Sequence, residues 1–263
     1  MADTFFVEAV GHRLECAWFG AGARDGRVLV LLHEGLGSVS MWRDWPDQLA
    51  AATGLPVMAY SRWGYGGSDA VIPPRPLRYM HDEALESLPQ VLARAAIKEC
   101  VLVGHSDGAS IALIHAGSPR RWPAVRALAL LAPHVFCEDL SVKSIAAAKV
   151  AYETTDLREK LKRHHGENVD GAFWGWNRAW LDPGFKQWNL EGYLPNITLP
   201  VLVVQGKDDE YGTVAQVAAI ERGVKGPFRK VVLDSCGHSP QRDQPKATTE
   251  AIAELVRSLP PTG

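Results

Sequence analysis

The chain has 263 residues, of which 46% are hydrophobic and 22% charged, and its 28 basic and 30 acidic residues leave a net charge of −2. This composition is typical of a folded protein with one large domain or two small ones, and it excludes a disordered chain, a collagen-like fibre and a coiled coil. Because there is no basic excess, the sequence also argues against nucleic-acid binding.

The cysteines and the N-terminal residues indicate a cellular compartment. The four cysteines lie far apart without a C-x-x-C pair, which argues against a disulfide framework and a structural zinc site (Cys16, Cys100, Cys137 and Cys236). The N-terminal stretch carries Asp3 and Glu8 and lacks the features of a signal peptide, and no apolar run approaches the roughly 20 residues of a spanning helix. We therefore expect a cytoplasmic protein that does not associate with membranes, of unknown oligomeric state.

In chain order, the predicted elements are a hairpin followed by alternating strands and helices. Residues 4–10 and 12–19 predict two antiparallel strands joined by a tight turn. Consecutive apolar residues predict buried strands over 27–32, 56–61, 99–104, 126–133, 200–206 and 228–235. Helical patterns lie between and after them, over 42–53, 79–96, 107–117 and 244–258. The alternation predicts an α/β fold with a mostly parallel, eight-stranded sheet flanked by helices.

One interval interrupts this alternation. Residues 137–198 are too many for a bare loop in a compact domain. Helical patterns run from Ser141 to Tyr152 and from Asp156 to about His164, and a tryptophan-rich stretch follows. We interpret residues 1–136 and 199–263 as a core domain, and residues 137–198 as a helical cap inserted in it.

The strongest chemical signal is the G-x-S-x-G motif at residues 104–108. It lies between a buried strand and a helix of small residues, so Ser106 occupies a sharp strand-to-helix turn. The two glycines remove the Cβ atoms that would crowd such a turn. The Ser106 hydroxyl is then exposed at a helix N-terminus, where free backbone N–H groups favour a developing oxyanion.

With this motif, its strand order and the position of the insertion, the chain resembles the α/β-hydrolase superfamily over essentially its whole length. In that family the nucleophile, acid and histidine follow in this order along the chain. The resemblance implies Ser106 as nucleophile, Asp209 in the G-x-x-D pattern after the strand 200–206 as acid, and His238 in the loop after the last strand as general base. The acid has three alternatives in Asp208, Glu210 and Asp139.

The resemblance also implies an oxyanion hole with two backbone N–H donors. One is Asp107, and the other is Gly35 in the loop after the third strand, with Leu36 as the second choice. Glu34 departs from the family, which more often has glycine there. We expect Glu34 to form an ion pair with Arg62, and the alternative is that it lines the pocket and repels anions.

Aromatic residues and histidines remain. Leu36, Trp174, Trp176 and Trp180 are predicted to form an apolar wall for the substrate. The alternative is that the aromatic residues of the cap only pack it against the core domain. We expect His33 and His105 to be packed and hydrogen-bonded, and His164-His165 to be a solvated helix end.

The predicted activity is that of a serine hydrolase acting on a small-molecule substrate. Ser106 would form an acyl-enzyme that a water activated by His238 hydrolyses. The family favours the carboxylic ester of a small apolar or aromatic acyl group, with two alternatives: a C–C bond hydrolase of ring-cleavage products and an acyl thioesterase. A non-catalytic ligand-binding receptor is the alternative of another class. No metal or cofactor is expected, because convergent ligands and nucleotide-binding motifs are missing from the sequence.

Overall fold

The computed structural model describes residues 3–261, so the outermost residues of the two predicted core ranges lie outside it. Eight strands form one sheet: β1 (Asp3–Ala9), β2 (His12–Phe19), β3 (Arg27–Leu32), β4 (Val57–Tyr60), β5 (Glu99–His105), β6 (Val125–Leu131), β7 (Val201–Gly206) and β8 (Phe228–Leu233). Their spatial order is β1-β2-β4-β3-β5-β6-β7-β8. β1 pairs antiparallel with β2, β2 pairs antiparallel with β4, and the remaining strands are parallel. The predicted fold class is confirmed.

Within residues 3–261, ten helices accompany the sheet. They are α1 (Trp45–Thr53), α2 (Tyr79–Asp82), α3 (Leu88–Arg94), α4 (Asp107–Gly117), α5 (Asp139–Thr154), α6 (Leu157–His165), α7 (Val169–Leu181), α8 (Val214–Gly223), α9 (Pro240–Asp243) and α10 (Pro245–Ser258). Short 3₁₀ helices span Val39–Trp42, Gly166–Asn168, Pro183–Gln187 and Glu191–Asn196.

The helix predicted over 79–96 is interrupted. A π-helical turn, Glu83–Ser87, separates α2 from α3, and the N–H of Leu88 bonds the carbonyl oxygen of Glu83. Pro89 follows directly and has no N–H to continue an α-helical ladder. The regular period of apolar residues did not reveal this interruption, because the wider turn keeps the same face buried.

Alternate residues of the central strands point to opposite faces of the sheet, and each face is apolar. Val28, Val30 and Leu32 of β3 join the core under α3, α4 and the segment between β6 and β7. Leu29 and Leu31 join a second core under α1 and α10. A strand that is buried on both faces needs apolar residues at consecutive positions. This is why β3 and its neighbours are uninterrupted runs of apolar residues in the sequence.

Helices α5, α6 and α7 lie between β6 and β7, within the interval 137–198, which we call the inserted segment. Their buried residues, among them Ile145, Leu161 and Trp180, join the larger of the two cores. Because this segment follows β6 and precedes the parallel strand β7, it starts at the sheet edge to which β5 delivers Ser106 and ends at the opposite edge. Within residues 3–261, no helix has both the length and the apolar character that crossing a membrane requires.

Candidate active site

Ser106 occupies the sharp turn between β5 and α4. Its backbone angles are φ 52° and ψ −116°, a conformation that a residue with a side chain adopts only where the surroundings enforce it. A Cβ atom on Gly108 would overlap the carbonyl oxygen of Leu32 on the neighbouring strand, so the turn can approach β3 only with glycine there. The strain and the close approach together lift the Ser106 hydroxyl above the edge of the sheet.

Ser106, His238 and Asp209 form one chain of hydrogen bonds. Oγ of Ser106 lies 2.8 Å from Nε2 of His238, and Nδ1 of His238 lies 2.8 and 2.9 Å from the two carboxylate oxygens of Asp209. Because an ionised carboxylate only accepts, Nδ1 carries the proton and Nε2 is free to accept the proton of Ser106. This is the geometry in which an imidazole can act as base towards a serine.

Asp209 is held by its own loop as well. The N–H groups of Tyr211 and Gly212 donate to its Oδ1 at 2.8 and 3.0 Å, and the Gln205 amide donates to its Oδ2 at 2.7 Å. Burial acts to raise the pKa of Asp209, but the hydrogen bond and charge of His238 and the two N–H groups outweigh it and hold the pKa at about 2. The carboxylate is therefore ionised at neutral pH.

The three alternative acids lie elsewhere. The Asp139 side chain is 97% exposed and pairs with Lys186 on the surface. Asp208 is exposed, and Glu210 contacts His238 only through the backbone, accepting its N–H at 3.2 Å. Of the four carboxylates considered from the sequence, only Asp209 reaches the imidazole.

The loop that carries Gly35 is held by Arg62. The buried guanidinium donates to the carbonyl oxygen of His33 at 2.6 Å and to that of Glu34 at 3.0 Å, and the Glu34 oxygen also accepts the N–H of Gly37 at 3.1 Å. In a trans peptide the C=O and the following N–H point in opposite directions. Fixing the Glu34 carbonyl on Arg62 therefore turns the N–H of Gly35 away from Arg62, in a loop whose Gly35 lines the same cavity as Ser106.

The expected ion pair between Glu34 and Arg62 is wrong. Arg62 binds the backbone of Glu34 and lies 3.8 Å from the Asp107 carboxylate, whereas the Glu34 carboxylate lies 3.4 Å from Nδ1 of His105 and faces the cavity. The guanidinium is buried, so its N–H groups need hydrogen-bond acceptors. The acceptors that this loop places within reach of Arg62 are backbone carbonyl oxygens, not the Glu34 carboxylate. The sequence showed that two opposite charges were near each other but not which atoms would meet.

Asp107 contributes to the site through both its backbone N–H and its side chain. Its N–H is the first of helix α4, where no intrahelical acceptor exists, so it is available next to Ser106. Its side chain is buried and accepts the hydroxyl of Tyr79 at 2.5 Å. Burial raises the pKa of the Asp107 carboxyl, against the opposing effects of Arg62 and Tyr79. Tyr79, which the sequence analysis did not single out, also accepts the indole N–H of Trp180 at 3.0 Å.

Two further histidines adjoin His238. Nε2 of His105 donates to the backbone oxygen of His238 at 2.6 Å, so His105 is packed and hydrogen-bonded as expected. His33 is also packed and hydrogen-bonded as expected, since its Nδ1 lies 2.7 Å from the backbone oxygen of Glu34. The ring of His134 lies 5.4 Å from that of His238, and burial, followed by the charge of His238, lowers the His134 pKa to about 3. His134 is thus a neutral imidazole beside the reacting residues.

A cavity of about 240 Å³ opens above Ser106. Leu36, Trp176 and Trp180 line it, together with Ile145 and Leu161 of the inserted segment. Trp174 does not, and its assignment to the substrate is wrong: it packs edge-on against Phe173 and lies under Arg178, away from Ser106. Trp176 and Trp180 are four positions apart and share a helix face, while Trp174 lies on the opposite face of α7. The spacing of these tryptophans along the helix could therefore have shown that Trp174 faces away from the other two.

His165 also differs from its prediction as part of a solvated helix end. It is buried, its Nδ1 accepts the N–H of Gly66 at 3.1 Å, and its Nε2 donates to the carbonyl oxygen of Leu36 at 2.8 Å. His165 lies one helical turn after the buried Leu161, a spacing that indicates the buried face. It connects the inserted segment to the loop of Gly35.

A serine on a turn between a buried parallel strand and a helix, with a histidine and a carboxylate from the loops after the last two strands, is the arrangement of an α/β hydrolase. The chain belongs to the alpha/beta hydrolase family, whose family model matches residues 29–251. The protein is accordingly a hydrolase by family.

Comparison with known proteins gives distant relatives of differing activity. The chain is 23% identical to epoxide hydrolase 3 of Xenopus tropicalis, over 91% of this chain and 74% of that protein. Among solved structures, it is similar to an esterase from Exiguobacterium antarcticum (TM-score 0.76, 20% identity, 96% of this chain and 99% of that one). It is equally similar to a serine hydrolase involved in carbazole degradation (TM-score 0.76, 16% identity, 98% and 99%). At these identities the structural likeness shows the fold.

Proposed function

We propose that the protein is a serine esterase that cleaves the carboxylic ester of a small apolar or aromatic acyl group through an acyl-enzyme on Ser106. The observation that carries this proposal is the chain of hydrogen bonds from Ser106 through His238 to Asp209, at 2.8 Å for each link. A hydroxyl with a base at hydrogen-bond distance, and a base oriented by a buried carboxylate, has the components of an activated nucleophile.

Each residue has a distinct part in the reaction. Oγ of Ser106 attacks the ester carbonyl carbon while Nε2 of His238 takes its proton, and Asp209 stabilises the imidazolium that results. The N–H groups of Gly35 and Asp107 donate to the carbonyl oxygen as it becomes negative. His238 then gives its proton to the departing alcohol, and the same steps with water as nucleophile release the carboxylic acid and restore Ser106.

The size and lining of the cavity support the choice of acyl group. A cavity of about 240 Å³ is smaller than most ligand pockets, and Ile145, Leu161 and Trp180 provide an apolar wall. All three belong to the inserted segment, so in this proposal residues 137–198 are a cap that completes the binding site over Ser106.

Epoxide hydrolysis is the second candidate, because sequence relatives that span most of the chain are epoxide hydrolases. An epoxide has no carbonyl group, so attack by Ser106 would form an ether, which water attacks far more slowly than an ester. Within residues 3–261, the carboxylate that follows Ser106 directly in the chain, that of Asp107, accepts a hydrogen bond from Tyr79. The site therefore favours ester chemistry over epoxide opening.

The test combines covalent labelling with turnover. We expect a fluorophosphonate to label the wild-type protein and not Ser106→Ala, and p-nitrophenyl acetate, butyrate and benzoate to be hydrolysed faster than the palmitate. A thioester, a vinylogous 1,5-diketone and styrene oxide are run beside them. Faster turnover of any of these three would replace the ester proposal with the corresponding activity. Labelling without turnover of any substrate would favour the ligand-binding alternative.

A further inference from the structure

The cavity above Ser106 carries negative charge close to the reacting atoms. Glu34 and Glu210 line it, and within residues 3–261 the only lysine or arginine among its lining residues is Arg242. Arg242 already contacts Asp243 at 3.3 Å, and its side chain is 68% exposed. A substrate entering the cavity therefore meets two carboxylates and one arginine that has a partner elsewhere.

Glu34 is the less exposed of these two carboxylates. It follows His33 directly in the loop of Gly35, and its side chain remains 23% exposed. Among residues 3–261, its one ion-pair contact is with Nδ1 of His105, at 3.4 Å. That nitrogen lies 3.0 Å from the amide Nε2 of Gln241, a donor, while Nε2 of His105 bonds a carbonyl oxygen. Burial acts to raise the pKa of Glu34, but the hydrogen bond and charge of His105 outweigh it and hold the pKa at about 2, so the carboxylate that faces the cavity is ionised.

The aromatic residues in this cavity also favour the binding of a cation. The indole ring of Trp176 lies so close to Gly35 that a Cβ there would overlap it, and the ring lines the same cavity as Glu34. Trp180 and Tyr211 line the same cavity. Aromatic faces combined with carboxylates attract organic cations by the ring quadrupole and by direct charge.

An unused acceptor is the second, independent observation. Oδ1 of Asp107 is buried and has no hydrogen-bond partner within residues 3–261, although Asp107 is only 1% exposed and lines this cavity. A buried polar atom without a partner is uncommon in native proteins. An ammonium N–H from a bound substrate is the type of group that it lacks.

From these contacts we infer that the cavity selects esters that carry a positively charged ammonium group, with Glu34 as the residue that determines this specificity. The inference rests on the proposed esterase function and adds the substrate class to it. Glu34 also lines a second cavity, of about 210 Å³, on the side of Trp42 and Gln48. Arg43 and Arg242 also line that second cavity, so we place the ammonium group on the side of Glu34 that faces Ser106.

Matched pairs of substrates test this inference. For the acyl side, p-nitrophenyl 6-aminohexanoate is compared with p-nitrophenyl heptanoate, in which a methyl group replaces the ammonium. For the alcohol side, butyrylcholine is compared with 3,3-dimethylbutyl butyrate, in which a tert-butyl group replaces the trimethylammonium group. We expect kcat/KM to be higher for the charged member of at least one pair, and Glu34→Gln to reduce the ratio of kcat/KM for the charged member to that for the neutral member about five- to tenfold. The preference should weaken at high salt.

Glu153→Gln is the control, since it removes the same charge from the exposed surface of α5 and should leave the preference unchanged. Equal turnover of both members of each pair, or a preference that persists in Glu34→Gln, would overturn the inference while leaving the esterase proposal intact. If no ester is turned over, the esterase proposal fails. In that case choline and 3,3-dimethylbutanol are titrated into Ser106→Ala by calorimetry, and choline binding that depends on Glu34 supports the cation site alone. No difference between the two ligands would exclude it.

Discussion

Nε2 of His105 lies 2.6 Å from the backbone oxygen of His238. His105, which directly precedes the proposed nucleophile, thus holds the loop of His238, the proposed base, although the two histidines are far apart in the chain. The side chain of His105 is buried and does not itself contact Ser106 within hydrogen-bond distance. Its effect on the reaction is through the position of His238.

Replacing His105 should therefore affect turnover more than binding. We expect His105→Ala to lower kcat by about ten- to a hundredfold, because a displacement of the base by a fraction of an ångström weakens proton transfer. KM should change little. Steady-state kinetics on the best p-nitrophenyl ester measures both constants, and an unchanged kcat would mean that the loop of His238 holds itself in place.

The three proposed catalytic residues should behave as a unit. We expect Ser106→Ala and His238→Ala each to lower kcat by about four to six orders of magnitude, and Asp209→Asn to cost a similar amount or somewhat less. Circular dichroism should be unchanged. Asp139→Asn is the matched control, since that carboxylate is exposed. Near-full activity in Asp209→Asn together with a loss in Asp139→Asn would refute the assignment of the acid.

Arg62 should contribute to both stability and turnover, through different partners. Arg62→Met leaves the Asp107 carboxylate, 3.8 Å away and buried, without its cation, and we expect a loss of about 3–5 kcal/mol in the free energy of unfolding. It also releases the loop of Gly35, so kcat should fall. In Arg62→Met/Asp107→Asn, denaturant unfolding should show recovered stability, while kcat stays low because the loop remains released. Recovery of both would assign Arg62 to stability alone.

The pH dependence of kcat/KM should have an acid limb that reflects a single proton. The pKa of Asp209 is held at about 2 and that of His134 is lowered to about 3, so neither titrates between about pH 4 and 8. Protonation of His238 removes the base, and the logarithm of kcat/KM should fall with a slope of one as the pH decreases. A flat profile or a slope of two would contradict this mechanism.

His134 should also make the folded state sensitive to acid. Its pKa is about 3 in the folded protein and 6.5 in an unfolded chain, so only the unfolded state binds the proton between these values. This contribution to stability is complete above pH 6.5 and is lost as the pH falls towards 3, by up to about 1.4 kcal/mol per pH unit. Chemical unfolding at several pH values should show a smaller loss for His134→Leu than for the wild type.

The alternation of apolar runs and helical periods was sufficient to predict the fold. Buried parallel strands must be apolar on both faces, and a sharp turn into a helix needs small residues around Ser106, so both features are written locally in the chain. The same local patterns indicated the three side chains that the structure brings within hydrogen-bond distance, because each follows the end of a strand and parallel strands end at one edge of the sheet.

Side-chain direction was decided only by the tertiary structure. Which atoms of Glu34 face Arg62, whether Trp174 faces Ser106, and whether His165 is buried all depend on elements that are far apart in the chain and meet only when the inserted segment packs on the sheet. The partners of a buried polar group are whichever groups the assembled backbone places within hydrogen-bond distance of it. Local patterns can therefore predict on which helix, strand or loop a charged or aromatic residue lies, but tertiary packing determines what its side chain contacts.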